Sequence, residues 1–238
     1  MFTLDTQKKD FKNMLKNEIT KWLKENQRYF NRQDIDIFKS KSPALNRYLT
    51  ELNKEGIFYS AGRGWYSFIK ESFELEQQTI KQIVTTIEKK YPLLSFSVWS
   101  TEQLKSFVHH MFARFIIFIY VNRDDMSGIY DFLRDSGYDV WLNPRKNDIQ
   151  KFSTGEKTVI IRPAISREKS KGHFANTEKI FIDLFVESSK LSILDKDEYY
   201  KILGNVLISG RFNIGSMLNY AKRRKLKIEK FIRIIKST

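Results

Sequence analysis

The sequence predicts a mixed α+β or α/β protein in two parts. A small N-terminal helix, turn, helix and hairpin unit is followed by a mixed α/β domain with a helical C-terminal tail. Three observations predict this. Residues 31–68 carry helix start and stop signals and then a glycine-bracketed hairpin. From Leu93 onward, short apolar or alternating runs alternate with helical periodicity, the pattern of strands and helices in one sheet domain. After Pro163, Ser166 to Gly172 is a loop-like charged stretch, and from Thr177 the apolar spacing is helical.

The elements follow in order. Asp10 to Tyr29 reads as a helix, with Phe11, Met14, Leu15, Ile19, Trp22 and Leu23 on one stripe at three- and four-residue spacing. Asn31 to Phe38 reads as a short helix with Asn31 at its cap and Ile35 and Phe38 inward. Lys39-Ser40-Lys41 is a turn. The next helix starts at Ser42, with Pro43 at the first helical position, where a missing N–H costs nothing. Leu45, Leu49 and Leu52 form its apolar stripe and Gly56 its stop. Residues 57–60 and 65–68 are the arms of a hairpin, and Gly62 and Gly64 bracket Arg63 at its tip. Trp65, Tyr66 and Phe68 anchor that hairpin to the helices. This order is that of a winged helix-turn-helix, a unit that presents a helix to the major groove of duplex DNA.

Phe73, Ile80, Ile83, Val84 and Ile87 predict a connecting helix over 71–90, ended by Pro92. Leu94 to Trp99 alternates as a strand. Ser100 with Gln103 is a capping box that opens a helix to about Met111. Arg114 to Val121 is an apolar strand, central and buried on both faces. Asp124 to Ser136 is a helix stopped by Gly137. Val140–Leu142 and Lys157–Arg162 are further strands. Helices follow at 177–187, 195–209, 214–224 and 228–236. The expected division is 1–70, a connecting helix over 71–92, and 93–238.

The chain has 238 residues, no cysteine and a net charge of +14. The charge is uneven: +6 over 1–70, −2 over 71–150 and +10 over 151–238. Such an excess suits a polyanionic partner, although lysine enrichment in an AT-rich genome has the same signature. Without cysteine there are no disulfides or thiolate metal ligands. Met1 to Asp5 has no apolar signal core, and the seven-residue run Phe115 to Val121 is far shorter than the ~20 residues that span a bilayer. The expectation is a cytoplasmic protein without a membrane partner.

On the helix from Ser42, Pro43, Arg47, Thr50 and Lys54 point away from the leucine stripe, and Asn46 lies on its flank. A positive, hydrogen-bonding face backed by leucine suits groove insertion. The expected DNA contacts are Lys41, Ser42, Asn46, Arg47, Thr50, Lys54 and Arg63. Arg211, Lys222, Arg223, Arg224 and Lys227 form either a second phosphate-contacting surface or a solvated amphipathic pair.

Catalytic chemistry finds little support. Glu88-Lys89-Lys90 is the only close match to a nuclease Glu-x-Lys, and it stands at a helix end. Gly215-Ser216 lacks the pair of acids that nucleotidyl transfer needs downstream. Asp34/Asp36 and Asp195/Asp197 have no Gly-Ser before them and read as helix N-terminal charges. There is no phosphate-binding loop of the Gly-x-x-x-x-Gly-Lys kind and no Gly-x-Ser-x-Gly elbow. His109-His110 diverge on a helix, and His173 stands in a loop. No catalytic residue, metal or cofactor is expected. The alternative is a nuclease or transferase targeted by the winged helix, for which Asp183 or Glu156 would be required. A third reading is a protein-interaction module that binds no DNA.

The second half resembles a known family through Ser97-Val98-Trp99-Ser100-Thr101, Phe115-Ile116-Ile117-Phe118-Ile119, Tyr138-Asp139-Val140-Trp141-Leu142-Asn143-Pro144, Val159-Ile160-Ile161-Arg162-Pro163, Asn176 to Phe185 and Leu218 to Arg224. Placed after a winged helix, these segments resemble the AbiEi-type antitoxins of bacterial abortive-infection systems. The resemblance implies a transcriptional autorepressor that binds inverted repeats in its own promoter, with Ser42, Arg47 and Arg63 as DNA contacts. It also implies a nucleotidyltransferase toxin as functional partner, countered without a stable complex.

Overall fold

The computed structural model describes residues 13–14, 16–22, 24–25, 28–35, 45–108, 115–145, 148, 158–165 and 170–238. They form a mixed α+β protein of two compact units interleaved in sequence. The first contains 1–73, 206–219 and 227–238, the second 74–205 and 220–226. Much of the C-terminal tail, expected within a 93–238 domain, thus belongs to the first unit.

The first unit opens with helix α1 within 13–25. Of its expected apolar stripe, Ile19 is buried, but Met14 is 51% exposed. Tyr29 does not continue that helix. It starts strand β1 (Tyr29–Asn31), and both aromatics of the strand are fully buried. Residues 32–35 are 3₁₀-helical, and the remainder of the expected short helix, 36–38, lies outside the described residues. The geometry of the turn comes from Asn31 and Asp34: the Asn31 side chain accepts from the Gln33 N–H, and Asp34 accepts from the Asn31 N–H at 2.8 Å. This reciprocal bonding is the helix-start cap expected at Asn31. The helix start at Ser42 and Pro43 lies outside the described residues.

Helix α2 (Leu45–Lys54) closes as its sequence demands. Gly56 has φ +72°, and the Ile57 N–H reaches back to the Leu52 carbonyl at 3.0 Å, a Schellman stop. Strands β2 (Tyr59–Ser60) and β3 (Trp65–Ser67) form the hairpin, and β1 adds to it antiparallel in the order β1-β3-β2. Phe30, Phe58, Tyr66 and Phe68 make an aromatic core under this sheet, with Leu49 and Leu52 from α2.

The second unit holds a six-stranded sheet. Its strands are β4 (Phe96–Ser100), β5 (Ile116–Val121), β6 (Asp139–Leu142), β7 (Thr158–Pro163), β8 (Ser170–Lys171) and β9 (Phe174–Ala175), in the order β6-β7-β5-β4-β9-β8. β6, β7 and β5 run parallel, and β4 lies antiparallel to β5. β5 is interior, as its apolar run predicts.

Helix α3 (Gln78–Lys90) buries Ile80, Ile83, Val84 and Ile87 against the sheet, each side chain contributing about 1.5–3 kcal/mol. It starts later than expected, because the segment before it is extended and Ser72 bridges to Arg211. The capping box at Ser100 and Gln103 is formed, but it opens a 3₁₀ helix over 101–107. Gln103 is drawn down by a second bond, from its amide to the Glu76 carbonyl at 2.6 Å. Helix α4 (Met126–Asp135) ends before Gly137, which has φ +84°.

Helices α5 (Thr177–Leu191), α6 (Lys196–Ser209), α7 (Ile214–Arg223) and α8 (Glu229–Ser237) complete the chain. Among the described residues no helix is long and apolar enough to cross a membrane.

Candidate nucleic-acid interface

The first unit carries 19 Lys and Arg against 10 Asp and Glu, a net +9 of the chain's +14. On α2 the division of faces is sharp. Tyr48, Leu49 and Leu52 are buried, whereas Arg47, Thr50, Asn53 and Lys54 are exposed. The Arg47 side chain is 66% exposed, with its guanidinium 5.8 Å from the Tyr48 ring centroid and its Nε 3.5 Å from Glu51. That exposed i, i+4 pair contributes only about 0.3–0.5 kcal/mol, so another anion can displace it readily. Glu51 is itself shared, because Lys16 Nζ lies 3.0 Å from its other oxygen.

The hairpin tip presents Arg63 to solvent. Gly62 and Gly64 on either side have φ +94° and +76°, which other L-residues rarely adopt. The tip is closed by the Ala61 N–H to the Trp65 carbonyl at 2.9 Å and by the Trp65 N–H to the Gly62 carbonyl at 3.0 Å. Trp65 is 8% exposed, and Tyr66 and Phe68 pack into the aromatic core, as their sequence context predicts. Arg47, Thr50, Lys54 and Arg63 therefore stand on one compact unit. Lys41 and Ser42 lie outside the described residues, as do the surroundings of the Asn46 side chain.

In the second basic group, Arg211 and Arg224 are engaged by the protein itself, whereas Lys222 and Lys227 are exposed. Arg211 is occupied within the first unit: it donates to the Ile69 and Lys70 carbonyls at 3.2 and 2.6 Å, and it lies over the Tyr59 ring. Arg224 belongs to the second unit, and its side chain is 8% exposed between Asp183 and Glu187. Arg223 is half-buried over the Tyr220 ring. Lys222 and Lys227 are exposed but belong to different units. A helical tail whose cations recur at short spacing gives no sign that Arg211 and Arg224 are engaged by the protein's own carbonyls and carboxylates.

Arg224 leads to the strongest polar feature of the second unit, one the sequence reading missed. Lys179, Asp183 and Glu187 recur every four residues on α5 and are all buried. Asp183 pairs with Lys179 at 2.5 Å and accepts from the Tyr220 hydroxyl at 2.9 Å. Glu187 takes two bonds from Arg162, whose remaining nitrogen donates to Asn143 and to the Pro144 carbonyl. Tyr120 lies beside the cluster with its hydroxyl 3.5 Å from Glu187, and the Lys179 ammonium is 3.5 Å from its ring centroid. Burial first, and then the nearby Asp183 and Glu187 charges, push the Tyr120 phenol well above its ordinary pKa. The Asp183 and Glu187 charges hold Arg224 protonated against the opposing effect of its burial. The four-residue spacing that places Lys179, Asp183 and Glu187 on one face of α5 was the available signal.

This network holds β5, β7, α5 and residues 220–224 together. Asp183 and Glu187 are 0% exposed, and their oxygens are engaged by cations and phenols. Elsewhere His173 stacks on Phe96 at 3.8 Å, with its Nδ1 3.0 Å from the Phe96 carbonyl and its Nε2 3.4 Å from Glu88. Asp195 caps α6 by accepting from the Glu198 N–H. His109, His110, Asp36 and Glu156 lie outside the described residues. Among the described residues no group of three or more His, Asp or Glu side chains is arranged to hold a metal ion.

No curated protein matches the chain. A family model described as a family of unknown function, DUF6577, matches residues 44–238, all of α2 through the C-terminal helix. The match covers well over half of the sequence, and the chain belongs to the DUF6577 family.

Proposed function

We propose that the protein is a duplex-DNA-binding transcriptional regulator. Helix α2 lies in the major groove, and the Arg63 hairpin grips the phosphate backbone beside it. The observation that carries this reading is the pairing of Arg47 and Arg63. Both are exposed, one on a helix with a leucine-lined back and the other on a glycine-hinged tip, and both belong to a unit of net +9. The order of α1, α2 and the hairpin, with β1 extending the hairpin into a small sheet, supports a winged-helix identity for this unit.

The chemistry assigns the two arginines different work. Arg47 can offer two parallel donors to a guanine edge, which reads sequence. Arg63 neutralises a phosphate, which adds affinity without sequence preference and makes it salt-dependent. The resemblance to AbiEi-type antitoxins extends the proposal. The DNA would be inverted repeats in the chain's own promoter, the outcome autorepression, and the functional partner a nucleotidyltransferase toxin countered without a stable complex.

A gel-shift titration with duplex from the chain's own upstream region tests the reading. Arg47→Ala is expected to lose about 1–3 kcal/mol of binding on that duplex. Arg63→Ala is expected to weaken binding to all duplexes alike. Binding unchanged in both variants would remove the groove assignment.

A further inference from the structure

We infer that Gly215 is a positioning residue for Arg63, seating the hairpin tip on the start of α7. This inference rests on the duplex-binding reading above. Gly215 is the second residue of α7 and has ordinary helical backbone, so its conformation does not demand glycine. Its surroundings do. A Cβ on Gly215 would stand 2.7 Å from the Arg63 nitrogen, 3.1 Å from the Gly62 carbonyl carbon and 3.3 Å from the Arg63 carbonyl oxygen. All three are backbone atoms of the tip, which cannot step aside as a flexible side chain can. From the other side, a Cβ on Gly62 would stand 2.1 Å from Asn213 Oδ1 and 2.8 Å from the Gly215 nitrogen.

The approach is also hydrogen-bonded. The Gly215 N–H donates to the Ala61 carbonyl at 3.1 Å. Asn213 caps the same helix end by accepting from the Ser216 N–H at 2.9 Å. The tip is therefore clamped by backbone against backbone, with a glycine on each side of the approach. A hairpin held in this way offers Arg63 from a fixed platform, and a contact made from a rigid element loses less conformational entropy on binding. Residues 206–219 and the hairpin share one compact unit, so the clamp lies within a single body.

Glycine is otherwise a poor choice inside a helix, where alanine is the better former. Gly204 on α6 supplies the comparison. It too is helical, and a Cβ there meets nothing within 4 Å. Gly204→Ala is thus a helix-strengthening change without a clash, whereas Gly215→Ala combines the same propensity gain with displacement of the tip.

The test uses the full chain and a short fluorescein-labelled duplex from the region upstream of its own reading frame. Arg63→Ala, Gly215→Ala, the double variant and Gly204→Ala are titrated across a salt series. Gly215→Ala is expected to weaken binding about tenfold and to lower the salt slope by about one, as loss of one phosphate contact does. The double variant is expected to bind no worse than Arg63→Ala, because both changes remove the same contact. Gly204→Ala should bind as the unaltered chain does. If Arg63→Ala weakens binding but Gly215→Ala does not, or if their losses add in full, the positioning role is wrong and the duplex-binding reading survives. If Arg63→Ala itself has no effect, the hairpin's place in that reading fails. Should Gly215→Ala lose its cooperative melt, hydrogen exchange of the Gly215 amide in the unaltered chain decides. Protection supports the clamp, and exchange at the rate of an unstructured chain overturns it.

Discussion

Tyr29 and Phe212, 183 positions apart, are joined through one phenol: the Tyr29 hydroxyl accepts from the Phe212 N–H at 3.0 Å and donates to the Gly210 carbonyl at 2.9 Å. Both residues are essentially fully buried. Arg211 between them bonds to the Ile69 and Lys70 carbonyls, and Lys236 pairs with Asp34. The basic unit is thus built from both ends of the chain.

Removing that phenol should be costly. Tyr29→Phe leaves a buried N–H without its acceptor, so a loss of about 1–3 kcal/mol is expected in urea denaturation. Residues 1–73 expressed alone lack all of these partners and should show no cooperative unfolding transition. A truncated chain that unfolds as sharply as the whole protein would contradict a discontinuous unit.

How much of this was readable in advance depends on distance along the chain. The Gly56 stop, the glycine-bracketed hairpin and the capping box at Ser100 and Gln103 are local signals, and each formed where its residues stand. Local reading failed where remote partners decided. Tyr29 left its helix for a strand paired with Ser67, and Phe73 left its helix for a segment bonded to Arg211. β8 and β9 are two residues each, too short for alternation to register. At the candidate interface, the exposure of Arg47 followed from the leucine stripe opposite it. The engagement of Arg211 and Arg224 depended on carbonyls and carboxylates that no spacing rule could place.

The buried network predicts a large, asymmetric response. Glu187→Ala strands the Arg162 guanidinium, and a loss of about 3–5 kcal/mol is expected. Arg162→Met with Glu187→Leu should recover much of that loss, because an apolar pair needs no compensating charge. Chemical denaturation of the two variants beside the unaltered chain measures it. A loss within about 0.5 kcal/mol for Glu187→Ala, the range of an ordinary surface change, would show that the pair is not buried in solution.

Alkali should unfold the second unit. Tyr120 and Tyr199 are fully buried, and burial is the leading cause that raises each pKa well above 10.0. A folded pKa above the unfolded one contributes stability that is fully present below the unfolded value. That contribution is lost as pH rises from about 10 through the folded values. Phenolate absorbance at equilibrium should therefore show part of the tyrosine content ionising only together with loss of far-ultraviolet ellipticity. Smooth titration of every tyrosine near its ordinary value, with the fold intact, would contradict the burial.

A catalytic reading makes an opposite demand on Asp183. With its carboxylate engaged by Lys179 and Tyr220, Asp183→Asn should lower stability and affect no turnover, because none is expected. Incubating the purified chain with magnesium, nucleoside triphosphates and RNA or DNA checks this. Metal-dependent product that disappears in Asp183→Asn would replace the regulator proposal with an enzyme.

The central claim is that Arg47 on α2 reads duplex sequence. Fluorescence anisotropy with the upstream duplex and a scrambled duplex of equal length, at fixed salt, measures it most directly. Groove insertion predicts tighter binding to the upstream duplex, and a loss of about 1–3 kcal/mol there in Arg47→Ala that shrinks on the scrambled one. Equal binding to both duplexes, or an Arg47→Ala variant that still tells them apart as the unaltered chain does, would contradict it.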